Sequence, residues 1–282
     1  MVLIKNTAAL RIWLETRRKK GNTIGFVPTM GALHAGHISL VGISKKDNPV
    51  TVCSIFVNPT QFNDPKDFEK YPVTLEKDIA LLEAAGTELL FLPSVHEIYP
   101  GGVKPRMHYD IGYLETVLEG KFRHGHFQGV CMAVHPLLDI VQPDHLYLGQ
   151  KDYQQCLVIT KLIALINKDK EIKVHICPTL READGLAMSS RNMRLKEEER
   201  KKAITIYNAL LMIKENFQAM DLPELKQKAW SMLENAGFRV DYVEIADATN
   251  LTLVNAWDRK QKLVAVVAAF MNEVRLIDNM VI

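Results

Sequence analysis

Short apolar runs alternate with longer segments of helical periodicity over the first 180 residues, and this alternation restricts the possible fold more than any other feature. The runs at residues 23–27, 50–57, 88–92, 145–148 and 172–176 are predicted to be buried strands, most of them closed by proline or glycine. Residues 74–85 and 153–166 carry apolar stripes typical of helices. Strands that alternate with helices pair in parallel through right-handed crossovers, so the sequence predicts an α/β fold with a parallel sheet covered on both faces.

The pattern changes after about residue 193. Residues 196–217 and 222–235 have the spacing of amphipathic helices, and residues 240–245 and 262–269 are predicted strands. We therefore predict two domains, a larger one over residues 1–182 and a smaller α+β C-terminal domain over residues 183–282.

Composition excludes several classes of protein. The 35 basic and 33 acidic residues give a net charge of +2 without a long basic block, so we expect no nucleic-acid partner. No apolar run reaches the roughly 18 residues of a membrane helix, and the first residues lack a signal-peptide core, so we expect no membrane association. The four cysteines are widely separated within apolar segments, which is typical of buried thiols in a reducing compartment, so we expect a cytoplasmic protein.

The segment PTMGALHAGH, residues 28–37, follows the first predicted strand and leads into an apolar helical run. A helix N-terminus carries unpaired N–H groups and a partial positive charge, and His34 and His37 add donors, so the segment is suited to phosphate. Two alternatives remain: a helix cap with incidental histidines, and a zinc pair, although no third ligand is close in sequence.

Three further segments carry polar side chains at the ends of predicted strands or between the domains. DGLAMSSRN, residues 184–192, offers Ser189, Ser190 and Arg191 for a triphosphate, unless it is an ordinary linker. In GQKDYQQ, residues 149–155, Lys151 can neutralise phosphate and Gln155 can bind a polar substrate, or a Lys–Asp pair simply begins a helix. NPTQF, residues 58–62, supplies amides that could orient a hydroxy acid or an amine.

A glycine-rich segment at residues 118–130 contains Arg123, which could hold an anionic substrate if the segment is more than a loop. A metal site at His124 and His126 is a weak alternative, since two residues of one HxH rarely suffice.

Five ordered motifs, PTMGALHAGH, FVNPTQF, GHFQGV, GQKDYQQ and DGLAMSSRN, make the chain resemble the pantothenate synthetase (pantoate–β-alanine ligase) family. The resemblance continues to RLIDN at residues 275–279 and so spans nearly the whole chain. It implies a Rossmann-like sheet of the nucleotidyl-transferase type. It also implies that ATP activates pantoate as pantoyl-adenylate, with release of pyrophosphate, and that β-alanine then displaces AMP.

The resemblance also implies roles for individual residues. Charge neutralisation and catalysis fall to His34, His37, Lys151, Ser189, Ser190 and Arg191, while further ATP contacts fall to Met30, Gly149, Asp152 and Met188. Gln61 and Gln155 match the glutamines that bind pantoate, with Met30 lining that pocket, and Asn58 matches a residue near β-alanine. Mg²⁺ is expected on the triphosphate; Lys77 interrupts the acids that usually support it and leaves Asp78, with Glu76 as the second candidate. The family suggests a homodimer.

Two other functions compete with this interpretation. One is a nucleotidyl-transferase that leaves the nucleotide attached to its product, which the motifs GQKDYQQ and NPTQF disfavour. The other is a non-catalytic nucleotide- or RNA-binding relative, which the near-neutral charge disfavours.

Overall fold

The structure, a computed structural model, describes residues 1–62, 68–104 and 107–282. These residues divide into two compact units. The first comprises Met1–Gly149 and Val158–Pro178, and the second comprises Gln150–Leu157 and Thr179–Ile282. The segment Gln150–Leu157 thus groups with the second unit, although it lies within residues 1–182, the range predicted for the first domain.

The first unit contains a six-stranded sheet in the order β1-β4-β3-β2-β5-β6, in which every pair of neighbours is parallel. The strands are β1 Val2–Ile4, β2 Ile24–Thr29, β3 Val50–Ile55, β4 Leu89–Phe91, β5 His145–Gly149 and β6 Lys173–Cys177. The predicted α/β fold with a parallel sheet is therefore confirmed. Strand β1 was not among the predicted strands, because a three-residue edge strand with exposed Val2 and Leu3 has no buried apolar run.

Helices surround this sheet. They are α1 Thr7–Arg18, α2 Ala35–Asp47, α3 Leu75–Ala84, α4 Val95–Ile98, α5 Glu119–Phe122 and α6 His126–Val141, with 3₁₀ segments at Pro59–Gln61 and Gly112–Glu115. The 3₁₀ segment Gln150–Asp152 belongs to the second unit, and helix α7 Tyr153–Leu165 is divided, with its residues up to Leu157 in the second unit and the rest in the first. Phe26, Phe91 and Tyr147 are among the largest fully buried side chains of the sheet. The strand order reverses between β2 and β5, which is where parallel sheets of this kind place their ligands.

The second unit is an α+β structure with a three-stranded antiparallel sheet in the order β7-β8-β9. Its elements are the 3₁₀ segment Ser190–Arg194, the helices α8 Glu197–Ala203, α9 Thr205–Asn216 and α10 Leu222–Asn235, and the strands β7 Arg239–Asp247, β8 Leu263–Met271 and β9 Val274–Val281. A single helix was predicted at residues 196–217, but the structure has two helices there, α8 and α9, separated at Ile204. The backbone of Ile204 keeps right-handed helical angles, and this residue is the N-cap of α9.

All four cysteines are buried thiols without disulfides, as predicted. Burial raises the pKa of Cys53 and of Cys131 to about 12, so both thiols are protonated and unreactive at neutral pH. None of the helices in the described part of the chain is both long and apolar enough to span a lipid bilayer.

A buried ion pair fixes strand β9 inside the second unit. The Arg181 guanidinium donates two hydrogen bonds to the Asp278 carboxylate, at 2.6 and 3.1 Å, and its face lies 4.9 Å from the ring centre of Tyr207. The Asp278 side chain is only 3% exposed, and this burial raises its pKa while Arg181 opposes the increase. Removing the arginine would leave an uncompensated buried carboxylate.

We therefore expect Arg181→Met to lower the free energy of unfolding of the second unit by about 3–5 kcal/mol. Urea denaturation followed by tryptophan fluorescence measures this change. Arg200→Met is the matched control, because Arg200 pairs with Asp184 at 2.7 Å on the exposed surface and should contribute less than about 1 kcal/mol. Equal losses of unfolding free energy in the two variants would contradict the inference that the buried ion pair contributes more to stability than the exposed one.

Candidate active site

The PTMGALHAGH segment forms the turn from β2 into α2, and its two histidines cap that helix. His34 is the N-cap residue, and its Nδ1 accepts a hydrogen bond from the Gly36 backbone N–H at 3.2 Å. The His34 backbone N–H donates in turn to Nδ1 of His37 at 3.4 Å. The two ring centres lie 4.1 Å apart. This reciprocal arrangement is a capping box built from imidazoles.

The capping bonds determine where each neutral imidazole carries its proton. A backbone N–H can only donate, so Nδ1 of both His34 and His37 must be an acceptor, and the proton of the neutral ring resides on Nε2. Each ring is therefore a donor through Nε2, which suits a phosphate oxygen better than a metal ion. Within residues 1–62, 68–104 and 107–282, no three His, Cys, Asp or Glu side chains group as a metal site.

Asp78 of α3 holds the turn that precedes these histidines. Its Oδ2 accepts from the Ala32 N–H at 2.9 Å, and its Oδ1 accepts from the Leu33 N–H at 2.8 Å and from the Thr74 hydroxyl at 2.9 Å. Ala32 adopts a left-handed backbone conformation with φ of 49°, which is unfavourable for alanine. The Asp78 carboxylate accepts two charge-assisted hydrogen bonds from the backbone N–H groups of Ala32 and Leu33, and these bonds stabilise this conformation.

These contacts bear on the prediction that Asp78 supports magnesium, which stays a prediction. The residue is 1% exposed, and three hydrogen bonds already occupy its two carboxylate oxygens. Coordination of a hard cation would have to compete with both backbone donors and would release the turn. The hydrogen bonds give Asp78 a role in shaping the turn that does not depend on a metal ion. Two of the three contacts are to backbone groups of a distant segment, which a sequence does not reveal.

We expect Asp78→Asn to destabilise the protein by about 1–3 kcal/mol, because the amide NH₂ would face a backbone N–H and leave it unpaired. Turnover should fall while the half-saturating magnesium concentration stays within about twofold of wild type, since no metal ligand is lost. Thermal melting and a magnesium titration of activity measure the two quantities. Glu83→Gln, an equal loss of charge at an exposed position of the same helix, is the control. A large rise in magnesium requirement in a stable Asp78→Asn protein would restore the metal role.

A second polar group follows β3 in the first unit. Gln61 donates from Nε2 to the Met30 sulfur at 3.0 Å, and its Oε1 accepts from Nδ2 of Asn58 at 3.0 Å. The Gln61 backbone carbonyl accepts from Nδ1 of His126 at 2.8 Å. Three of the predicted binding residues, Met30, Asn58 and Gln61, are thus brought into one hydrogen-bonded cluster.

Arg123, the residue that ends α5, supports this cluster. Its guanidinium lies 3.5 Å from the Glu119 carboxylate, whose side chain is 8% exposed, and it also contacts Nε2 of His126 at 3.0 Å and the Gln61 carbonyl at 3.5 Å. The arginine is therefore engaged with protein groups in this structure. Direct binding of an anionic substrate by Arg123 stays a prediction. The engagement of His126 with Gln61 and Arg123 gives no support to a metal site with His124.

In the second unit, a buried asparagine organises the segment that carries Lys151. Asn279 of β9 donates from Nδ2 to the carbonyls of Gln150 and Lys151, both at 2.9 Å. The Lys151 side chain is 16% exposed, and its ammonium lies 3.3 Å from the Asp152 carboxylate. Asn279 was not predicted as a functional residue, although it belongs to the RLIDN segment. Its contacts explain why that segment accompanies the GQKDYQQ motif.

The serine-containing segment of the second unit follows a narrow hairpin. Met188 donates from its backbone N–H to the Leu180 carbonyl at 3.1 Å. Ser189 then caps the 3₁₀ segment Ser190–Arg194, with its Oγ accepting from the Arg191 N–H at 3.3 Å. Gly185 has φ of 101° and lies so close to the ring of Tyr207 that a Cβ there would clash at 2.4 Å. The predicted residues Met188, Ser189, Ser190 and Arg191 are therefore consecutive on a defined turn.

The remaining predicted residues follow one another closely along the chain. Gly149 is the last residue of that strand, in the first unit, while Asp152 and half-buried Gln155 lie in the Gln150–Leu157 segment of the second. Gln155 is in the first turn of α7, as expected from the sequence.

Comparisons with known proteins identify the family. The model of the Pantoate-beta-alanine ligase family matches residues 2–281. The pantothenate synthetase of Cytophaga hutchinsonii is 43% identical over 285 residues, covering 100% of this chain and 99% of that protein. The pantothenate synthetase of Bacteroides thetaiotaomicron is 44% identical over 280 residues, covering 99% and 98%.

Comparisons with solved structures point to the same family. The crystal structure of pantothenate synthetase from Thermus thermophilus superposes with a TM-score of 0.91 at 41% identity, covering 99% of each chain. A second, from Francisella tularensis, is a pantoate-beta-alanine ligase complexed with beta-gamma ATP and beta-alanine; its TM-score is 0.80 at 37% identity, covering 100% of this chain and 97% of that one. The ordered motifs, the parallel sheet and these full-length similarities lead to one conclusion: the chain belongs to the pantoate–β-alanine ligase family.

Proposed function

We propose that this protein condenses pantoate with β-alanine to give pantothenate, using ATP and passing through pantoyl-adenylate. In the first step a pantoate carboxylate oxygen attacks the α-phosphorus of ATP, and the bond to the leaving pyrophosphate breaks. In the second step the β-alanine amine attacks the acyl carbon, AMP leaves with the former carboxylate oxygen, and the amine loses a proton. Family membership and the ligands of the Francisella tularensis protein support this reaction.

The chemical difficulty of the first step is electrostatic, because a carboxylate must approach a triphosphate of like charge. We assign charge neutralisation to Lys151 and Arg191 and hydrogen bonding of phosphate oxygens to His34, His37, Ser189 and Ser190. The reaction then needs neither a covalent enzyme intermediate nor an obligatory general base, since positioning and charge stabilisation supply the catalysis. The observation that carries the proposal is the imidazole capping box, which leaves Nε2 of His34 and His37 as the protonated nitrogens.

The remaining site residues are assigned to the binding of the substrates. Gln61, Gln155 and Met30 bind pantoate, with Arg123 as a further group toward its anionic end, and Asn58 lies near β-alanine. Met30, Gly149, Asp152 and Met188 add contacts to ATP. Magnesium accompanies the triphosphate and offsets its charge, and no protein carboxylate is assigned to it, because Asp78 is committed to the turn.

Pyrophosphate release from ATP with pantoate, with and without β-alanine, tests the function when the organic product is followed by mass. Pantothenate formed only with all three substrates establishes the reaction. A product that retains the nucleotide would favour a nucleotidyl-transferase of the other type. No product from a protein that binds ATP would contradict the assignment of the acid.

We further propose a homodimer in the cytoplasm, without a nucleic-acid partner, from the family resemblance, the four buried thiols and the net charge of +2. Light scattering after size exclusion would test the dimer.

A further inference from the structure

We propose that Asn58 is a positioning residue that fixes the amide of Gln61 with its NH₂ group on the side of Met30. The substrate atom that meets Gln61 must then be a hydrogen-bond acceptor, such as a carboxylate or hydroxyl oxygen. This inference deepens the proposed function and rests on it for the identity of the acid.

Backbone groups determine the orientation of the Asn58 amide. The Thr60 backbone N–H, at 3.2 Å, can only donate, so the Asn58 atom that it contacts must be Oδ1. The Gly129 backbone carbonyl, at 3.0 Å, can only accept, so the atom beside it must be Nδ2. These two opposite requirements exclude the flipped amide. The Tyr99 hydroxyl adds a donor to Oδ1 at 2.8 Å, and burial raises the pKa of Tyr99, which keeps the hydroxyl protonated.

The orientation of the Asn58 amide determines the orientation of the Gln61 amide. Since Nδ2 of Asn58 is a donor, the Gln61 atom 3.0 Å away must be the acceptor Oε1. Nε2 of Gln61 therefore points to the other side, where its partner in this structure is the Met30 sulfur at 3.0 Å. A thioether is a weak acceptor, so a carboxylate or hydroxyl oxygen at this place would bind the NH₂ group more strongly.

Both the oxygen and the NH₂ group of the Asn58 amide already have hydrogen-bond partners within the protein, so Asn58 does not bind a substrate directly. It is 1% exposed, its Oδ1 accepts from Thr60 and Tyr99, and its Nδ2 donates to Gly129 and Gln61. Its effect on a ligand must therefore be exerted through Gln61. The proximity to β-alanine that the resemblance implies does not require a direct contact.

The close packing of α6 makes this arrangement possible. A Cβ at Gly129 would lie 2.1 Å from the Thr60 carbonyl oxygen, so only glycine allows the helix to approach and bring its carbonyl to Asn58. His126 and Arg123, from the same region, hold the Gln61 backbone carbonyl. Gln61 is thus fixed at its main chain and at one end of its side chain.

Asn58→Asp tests the proposal, because it keeps the shape and the acceptor Oδ1 but replaces the donor with a second acceptor. That oxygen would repel Oε1 of Gln61 and turn the Gln61 NH₂ group away from Met30. We expect the KM for pantoate to rise by roughly tenfold or more, while the KM for ATP stays within about twofold. Asn250→Asp is the matched control, since it makes the same change at an exposed residue whose oxygen already accepts a bond from Thr252. An unchanged KM for pantoate in the folded variant overturns the proposal.

A second measurement does not depend on turnover or on the folding of the variant. In wild-type protein labelled with ¹⁵N-asparagine, we expect both Nδ2 protons of Asn58 to exchange with solvent at least about 100-fold more slowly than those of Asn250. Equal exchange rates would overturn the hydrogen-bond assignment. A wild-type protein that makes no pantothenate but shows protected Asn58 protons would instead place the failure in the proposed function.

Discussion

Lys151→Ala is expected to lower turnover by more than about 100-fold, which corresponds to a loss of about 3 kcal/mol of transition-state stabilisation. Negative charge has to be neutralised as the carboxylate approaches the α-phosphate, and an ammonium group partly removed from water does this more strongly than one in bulk solvent. The Lys151 side chain is 16% exposed, and the carbonyl of this residue is fixed by Asn279. The lysine is therefore positioned before substrate arrives.

Steady-state turnover with all three substrates measures the loss, with folding checked by thermal melting. Lys161→Ala, at an exposed position of α7, removes the same charge from the chain and should leave turnover within about twofold of wild type. Lys151→Arg retains the charge with a different shape and should recover part of the activity. Near-normal turnover in folded Lys151→Ala would contradict the role assigned to this residue.

The centre of the sheet could be predicted from the sequence because β2, β3 and β4 are buried along almost their whole length. The run Val50–Ile55 is buried at every residue and is mainly apolar, with only the small polar side chains of Thr51 and Ser54, and Pro59 follows it closely, which gives a strong local signal. Strand β9 lacks this signal, because Asp278 and Asn279 occupy buried positions in it. Their partners, Arg181 and Gln150, lie 97 and 129 residues away along the chain, so no local pattern reveals why polar residues are tolerated there.

The candidate site likewise contains some features that a local sequence pattern reveals and others that it does not. Histidines after a buried strand identified the turn into α2, because residue type and position alone suggest a phosphate-binding helix start. The role of Asp78 could not be found in this way, since its partners are the backbone N–H groups of Ala32 and Leu33. The family resemblance implies a magnesium role for this carboxylate, and only the three-dimensional contacts indicate a structural one.

We expect His37→Ala to impair adenylation far more than the transfer to β-alanine. The Nε2–H of His37 is assigned to a phosphate oxygen, and the charge on phosphate changes most when pyrophosphate departs. Losing one such donor should lower pantoate-dependent ATP–pyrophosphate exchange by about 100-fold. Aminolysis of supplied pantoyl-adenylate should fall by less than about tenfold, because AMP leaves without a change at its phosphorus.

Two variants separate this effect from damage to the helix start. His37→Gln keeps an acceptor for the His34 N–H, as in an ordinary capping box, and should restore stability with partial exchange activity. His96→Ala removes an exposed histidine of α4 and should leave both half-reactions within about twofold of wild type. Intact exchange in folded His37→Ala would refute the phosphate role, and an equal loss in both half-reactions would indicate that His37 serves mainly to cap α2. Because the same imidazole caps the helix through Nδ1 and is assigned to phosphate through Nε2, only the comparison of the two half-reactions separates its structural and chemical contributions.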